Sequence, residues 1–76
     1  MDIKEFISNF AEQFDDLDAS VLTSETEFKQ LEDWNSLVAL SVIAMIDEEY
    51  DVTLKGNDII GATTIQDLFN TVQGKM

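Results

Sequence analysis

The 76-residue sequence contains no cysteine, no histidine and no proline, and its four basic residues are all lysine. Because cysteine and histidine are missing, Ser–His–Asp and Cys–His catalysis are excluded, and so are disulfides and the usual zinc ligands. A domain this small must then be stabilised by compact packing. Its 45% hydrophobic residues and the absence of proline favour helices.

Sixteen acidic residues are the remaining source of catalytic or metal-binding groups. A glycosidase-type pair of carboxylates needs a deep cleft, which we do not expect in so small a bundle. The acidic cluster at residues 15–18 lacks the spacing, the central glycine and the closing glutamate of an EF-hand loop. We therefore expect no enzymatic activity, no catalytic residue and no dedicated metal site.

The net charge of −12 makes nucleic acid and anionic membranes poor partners. Residues 37–46, interrupted by Ser41, form the longest apolar stretch, well short of the ~20 residues that span a bilayer. The first residues lack the basic region and apolar run of a signal peptide, so we expect none. We expect a cytoplasmic monomer without membrane insertion. The acidity either attracts proteins with basic patches or serves only solubility, and charge alone favours neither.

The spacing of apolar residues predicts an all-α fold in one domain, residues 1–76: a small four-helix bundle with three longer helices and one short helix. The long helices are predicted at residues 2–15, at 36–50 and from Thr63 or Thr64 onward, and the short one at 57–60. Thr63 and Gln66 have capping-box spacing at the start of the last helix, and Gly74 is predicted to end it.

A long loop is predicted between the first and second helices, because residues 16–35 show no sustained periodicity. Ser24 and Glu27 have capping-box spacing, which predicts a short helical turn beginning there. We expect the apolar residues of the loop to anchor it across the bundle; they are Leu17, Val21, Leu22, Phe28, Leu31 and Trp34.

The second helix has two apolar faces. At 100° per residue, one face is assigned to the core: Ala39, Val42, Ile43, Ile46 and Tyr50. The opposite side carries Leu37, Leu40 and Ala44, together with Glu48 and Asp51, and Asp47 borders it. A bundle this small cannot surround a helix, so we expect this side to be an exposed docking surface for basic partners. In the alternative, the long loop covers it.

Residues 31–37, LEDWNSL, join the loop to the second helix. A serine at a helix N-terminus is accessible, and the free amides there favour a phosphate; from position alone, however, Ser36 or Asn35 is simply an N-cap. The motif resembles the Asp-Ser-Leu modification motif of acyl carrier proteins. The resemblance extends over nearly the whole chain, including Phe28 and Leu31, residues 47–51 and residues 63–68.

This resemblance implies that Ser36 receives a covalent 4'-phosphopantetheine arm from coenzyme A, attached by a magnesium-dependent phosphopantetheinyl transferase. The arm's thiol would hold acyl groups as thioesters for acyl-processing enzymes. Asn35 stands where the family usually has Asp, and Val38 and Ser41 stand where the family often has early acids in this helix. Docking should therefore depend on the exposed apolar residues Leu37, Leu40 and Ala44 and on the acids Asp47, Glu48 and Asp51.

The leading hypothesis is a stand-alone carrier of acyl, or aminoacyl, intermediates in fatty-acid, polyketide or related specialised biosynthesis. The two departures from the family pattern favour a specialised carrier over the general fatty-acid one. The alternative is an unmodified interaction module that keeps the fold and the acidic face.

Overall fold

The computed structural model describes residues 2–15 and 17–76, which contain four α-helices and two 3₁₀ turns joined by loops. Along the chain they are α1 (Ile3–Ala11), the 3₁₀ turns Ala19–Val21 and Phe28–Gln30, α2 (Ser36–Tyr50), α3 (Gly56–Gly61) and α4 (Ile65–Lys75). These residues contain no strand. The predicted all-α bundle, with three longer helices, one short one and a long first loop, is confirmed.

α1 is shorter than the predicted span of residues 2–15. It begins after Asp2, whose carboxylate accepts a hydrogen bond from the Lys4 amide at 2.9 Å. Beyond Ala11 the amides of Gln13 and Phe14 donate to carbonyls three residues back, both at 3.1 Å, so the chain continues in tight turns. Phe14 is nevertheless buried. The apolar spacing therefore predicted the burial correctly and the end of the helix incorrectly.

The long loop was predicted to be anchored across the bundle by its apolar residues, and the structure shows it held against α1 by aromatic packing. Phe28 is fully buried, and the Trp34 ring stands edge-on to it with the ring centroids 5.0 Å apart. Trp34 also stacks parallel to Phe10, at 6.3 Å and an interplanar angle of 7°. Leu22 is buried, but Val21 is 65% exposed and the prediction for it is wrong. Val21 ends a 3₁₀ turn, and the next residue is the one that reaches the core.

The helical turn predicted at Ser24 is also wrong. The Thr26 amide donates to the Thr23 carbonyl at 3.1 Å, which closes a single turn, and the next 3₁₀ turn begins at Phe28. The Ser24 carbonyl accepts a hydrogen bond from the Gln66 amide at 2.8 Å. This segment is therefore attached to the start of α4 instead of starting a helix of its own.

α2 has the predicted bounds and the predicted core face. Val42 and Ile46 are fully buried, and the other residues assigned to that face are partly buried. At its end, the Tyr50 hydroxyl accepts a hydrogen bond from the Asn9 side-chain amide of α1 at 3.0 Å, and partial burial raises the pKa of Tyr50 above its ordinary value. α2 therefore supports the bundle with one side only.

The last two helices differ from prediction at their ends. α3 runs over Gly56–Gly61, longer than residues 57–60. The capping box of α4 is formed by Thr64 and Asp67, not by Thr63 and Gln66: the Thr64 hydroxyl accepts from the Asp67 amide at 3.1 Å. α4 also continues through Gly74 to Lys75. Gly74 does not adopt the left-handed conformation with which a glycine commonly ends a helix.

One apolar core joins all four helices and the long loop, and every side chain buried in it is hydrophobic. The Lys75 ammonium lies 3.8 Å from the Asp58 carboxylate and links α4 to α3. Met1 and Asp16 lie outside the described residues. Both belong to the predicted domain, and Asp16 also belongs to the acidic cluster at 15–18.

Candidate functional site

Ser36 is the first residue of α2, and Asn35 is its N-cap. The Asn35 side-chain oxygen accepts a hydrogen bond from the Val38 amide at 2.9 Å. The capping role therefore belongs to Asn35, and Ser36 is not needed for it. The Ser36 side chain is exposed, and its hydroxyl has no hydrogen-bond partner among the residues that the structure describes.

The first turn of α2 leaves backbone donors open. The Ala39 amide makes the first helical bond, to the Asn35 carbonyl at 2.9 Å, while the amides of Ser36 and Leu37 have no partner within residues 2–15 and 17–76. The first turns of α1, α3 and α4 each contain an acid; that of α2 contains none. The first turn of α2 therefore has no acid of its own to interact with the positive end of the helix dipole, which favours an anion.

Two grooves flank this helix start, and they differ in charge. The first, about 550 Å³, is lined by three carboxylates, Asp15, Glu32 and Asp33, and by polar and apolar neighbours that include Asn35. The second, about 490 Å³, lies between α2 and α3 and is mostly apolar. Ser36 lines only the second groove. A group attached to its hydroxyl therefore starts at the mouth of the apolar one.

The six residues predicted to form a docking surface are all exposed on α2 or directly after it; they are Leu37, Leu40, Ala44, Asp47, Glu48 and Asp51. Leu37 and Leu40 are each 66% exposed, a large fraction for leucine. The alternative, in which the long loop covers this face, is wrong because the loop packs against α1. A role for this surface in docking stays a prediction.

The C-terminal end of α2 is strongly acidic. Its last turn contains Asp47, Glu48 and Glu49 and no basic residue, a placement that opposes the helix dipole. Asp51 ends the helix in the left-handed conformation, with φ of 55°, and its amide donates to the Asp47 carbonyl at 3.0 Å. The exposed face of α2 therefore carries apolar side chains at its start and negative charge at its end.

Sequence reasoning missed two contributors to the site. Lys29 lines the same apolar groove as Ser36. Its ammonium donates a hydrogen bond to the Ile60 carbonyl, at the end of α3, at 2.7 Å. Ile60 itself is 72% exposed at the same groove. The available sequence signal was an isolated lysine in an acidic stretch. The position of α3 beside α2 depends on tertiary packing.

The described part of the chain contains no group of three or more acidic side chains arranged to hold a metal ion. Within that part, no helix has both the length and the apolar character needed to cross a membrane.

Residues 4–72 match the family model described as a phosphopantetheine attachment site, which is nearly the full length of the 76-residue chain. The chain belongs to this family. A comparison with curated protein sequences returned no match. The resemblance to acyl carrier proteins is thereby confirmed at the level of the family, and the cofactor is covalently attached 4'-phosphopantetheine. Domains of this family are generally non-catalytic carriers that interact with phosphopantetheinyl transferase and acyl-processing enzymes.

Proposed function

We propose that this carrier bears 4'-phosphopantetheine on the Ser36 hydroxyl and carries acyl, or aminoacyl, intermediates in fatty-acid, polyketide or related specialised biosynthesis. The observation that supports this most directly is the exposed hydroxyl at the first residue of α2, which has no hydrogen-bond partner within residues 2–15 and 17–76. When bound, the arm supplies a terminal thiol that forms thioesters, a chemistry that a chain without cysteine lacks.

Three other serines are exposed but offer less. Ser8 and Ser41 lie inside α1 and α2, where the backbone amides are used in helical bonds, and Ser20 lies in a three-residue 3₁₀ turn. Among the serines of the described residues, only Ser36 combines an accessible hydroxyl with open amides at the positive end of a long helix. A phosphodiester on Ser36 would lie beside these donors, so the residues present fit the group.

In the attachment step, a bond forms between the Ser36 oxygen and the phosphorus next to the pantetheine of coenzyme A. The phosphoanhydride bond breaks, adenosine bisphosphate leaves, and the serine proton passes to a base of the transferase. The chain contributes the hydroxyl and a surface for the transferase, and we expect it to catalyse nothing itself. Magnesium in this step would belong to the transferase.

The proposed docking surface lies next to Ser36 on the same helix. Leu37, Leu40 and Ala44 supply apolar contact area, and Asp47, Glu48 and Asp51 supply charge for partners with basic patches. An enzyme bound on this surface is within reach of a group attached to Ser36. The nearness of docking face and attachment point supports a carrier that is served by several enzymes.

The test is intact-mass spectrometry after incubation with coenzyme A and a transferase of broad specificity. We expect the mass of one phosphopantetheine group to be added to the wild type and to a Ser41→Ala variant, and none to Ser36→Ala. The Ser41 control removes an exposed serine from the same helix. Full modification of Ser36→Ala, or no modification of the wild type by any transferase including its cognate one, would refute the proposal.

The second candidate function is an unmodified interaction module, and the residue that favours it is Asn35. Aspartate could accept the capping hydrogen bond from the Val38 amide equally well. Asparagine differs in two ways: it lacks a negative charge beside Ser36, and its side-chain nitrogen donates to the Asp33 carbonyl at 3.4 Å, which a carboxylate cannot do. The intact mass of the protein isolated from its own cells distinguishes the two functions. A large rise in modification rate in Asn35→Asp would indicate a degenerate motif.

A further inference from the structure

Lys29 is an isolated positive charge in the groove that the proposed attachment point, Ser36, also lines. Between residues 19 and 51 the sequence has eight acids and this one lysine. Despite that excess, Lys29 forms no ion pair within residues 2–15 and 17–76, where the single salt bridge joins Lys75 and Asp58. Its ammonium instead donates to an uncharged backbone carbonyl, that of Ile60, at 2.7 Å. Its positive charge is therefore not neutralised by a neighbouring carboxylate.

The hydrogen bond to Ile60 fixes the ammonium at the groove that Ser36 also lines. A lysine ammonium has three donors, and this bond uses one of them. The other two are available to an anion at the mouth of the groove without loss of the link to α3. The bond also places a positive charge at the C-terminal end of α3, where a cation is favourable.

A phosphodiester attached to Ser36 is such an anion, and its surroundings on the two sides are opposite in charge. Asp15, Glu32 and Asp33 line the groove on one side and would repel it. Lys29 is the charged residue of the groove on the other side. Compact ammonium groups bind phosphate oxygens as point charges, with charge-assisted hydrogen bonds about twice as strong as neutral ones.

We infer that Lys29 pairs with the phosphodiester of the arm and thereby directs the arm toward the groove between α2 and α3. The inference rests on the proposed attachment at Ser36. Lys29 is in this account a positioning residue: it sets the direction in which the arm leaves the helix start and takes no part in bond formation.

The test is phosphorus NMR of the phosphopantetheine-bearing protein, after intact mass has shown that one group is attached. We expect the phosphorus resonance of Lys29→Gln to shift by more than its line width from that of the wild type at low salt. The resonances of Lys29→Arg, which keeps the charge, and of Lys4→Gln should stay near the wild type. Lys4 is the matched control because it is exposed on α1 and lines neither of the two grooves.

Salt gives a second readout, because ~1 M NaCl shortens the Debye length to about 3 Å. It should bring the wild-type resonance toward that of Lys29→Gln and leave the variant nearly unchanged. A third readout needs no variant: nuclear Overhauser effects should connect the Lys29 side-chain protons with the methylene group of the arm next to the phosphate.

Superimposed phosphorus resonances of wild type and Lys29→Gln at low salt would overturn the inference, as would the absence of that Overhauser contact in the wild type. Either result leaves the attachment at Ser36 standing, because the added mass is measured independently. Failure to add the mass to the wild type would instead refute the proposed function itself.

Discussion

α2 and α4 are the two longest helices, and they differ in how their first turns are capped and in how far their apolar side chains are buried. α4 closes its first turn: Thr64 accepts from the Asp67 amide, and the Asp67 carboxylate accepts from the amides of Thr63 and Thr64, both at 3.1 Å. α2 has one capping bond, no acid in its first turn and two open amides.

The same contrast holds for their sides. Every large apolar residue of α4 is buried. In α2, by contrast, Leu37 and Leu40 are mostly exposed and take no part in the core. A helix that serves only the fold satisfies its terminal donors and buries its apolar side chains. α2 does neither completely, and both exceptions lie on the surface that surrounds Ser36. The comparison separates residues that stabilise the bundle from those available to partners.

The largest expected effect is on stability and concerns the buried face of α2. Ile46→Ala should lower the free energy of unfolding by about 2–5 kcal/mol, because it leaves a cavity at a fully buried position. Leu40→Ala, a truncation of similar size on the exposed face, should change it by no more than about 0.5 kcal/mol. Urea unfolding followed by Trp34 fluorescence measures both. Equal losses would show that Leu40 belongs to the fold and not to a docking surface.

A smaller effect is expected on recognition. Leu40→Ala should raise the KM of the transferase for this carrier about tenfold with little change in kcat, since removing one well-placed apolar contact costs binding of roughly 1–2 kcal/mol. Gln73→Ala, an exposed residue of α4, is the control and should leave KM unchanged. Steady-state modification kinetics give the answer. If both variants behave alike, the distinction between the two helix surfaces has no bearing on partners.

The smallest expected effect concerns the closed start of α4. The hydrogen bonds from the Thr64 and Thr63 amides hold the pKa of Asp67 below its ordinary value of 3.8. A carboxyl with a lowered folded-state pKa adds stability that is present above the unfolded-state pKa and is lost as the pH falls through the folded-state value. Asp67→Asn should therefore be less stable than wild type at neutral pH, with the difference shrinking in acid.

Thermal unfolding of both proteins from about pH 7 to about pH 3 measures this difference. Glu48→Gln is the control, because it removes the charge of an exposed carboxylate that accepts no hydrogen bond from the described residues. A gap between wild type and Asp67→Asn that stays constant over this range would contradict the role given to the carboxylate.

Much of the site could be predicted from sequence because it lies on one helix. The bounds of α2, its buried face and the position of Leu37, Leu40 and Ala44 on the opposite side follow from a period of 3.6 residues. Helix ends were less predictable. Thr63 and Thr64 both had a side chain suited to capping, and the choice of Thr64 depends on the geometry of the turn before α4. Phe14 is buried in the core as its spacing predicted, although it lies beyond the end of α1.

By itself, the sequence determined the all-α class, the absence of thiol and imidazole chemistry, and a serine at the start of a helix with two apolar faces. These depend on composition and on local periodicity, which act over a few residues. Only the tertiary structure decided that the long loop packs on α1 and leaves α2 open, and that Lys29 contacts the end of α3 in the groove that Ser36 also lines. Such contacts join residues that are distant in sequence, and core packing, not any local pattern, brings them together.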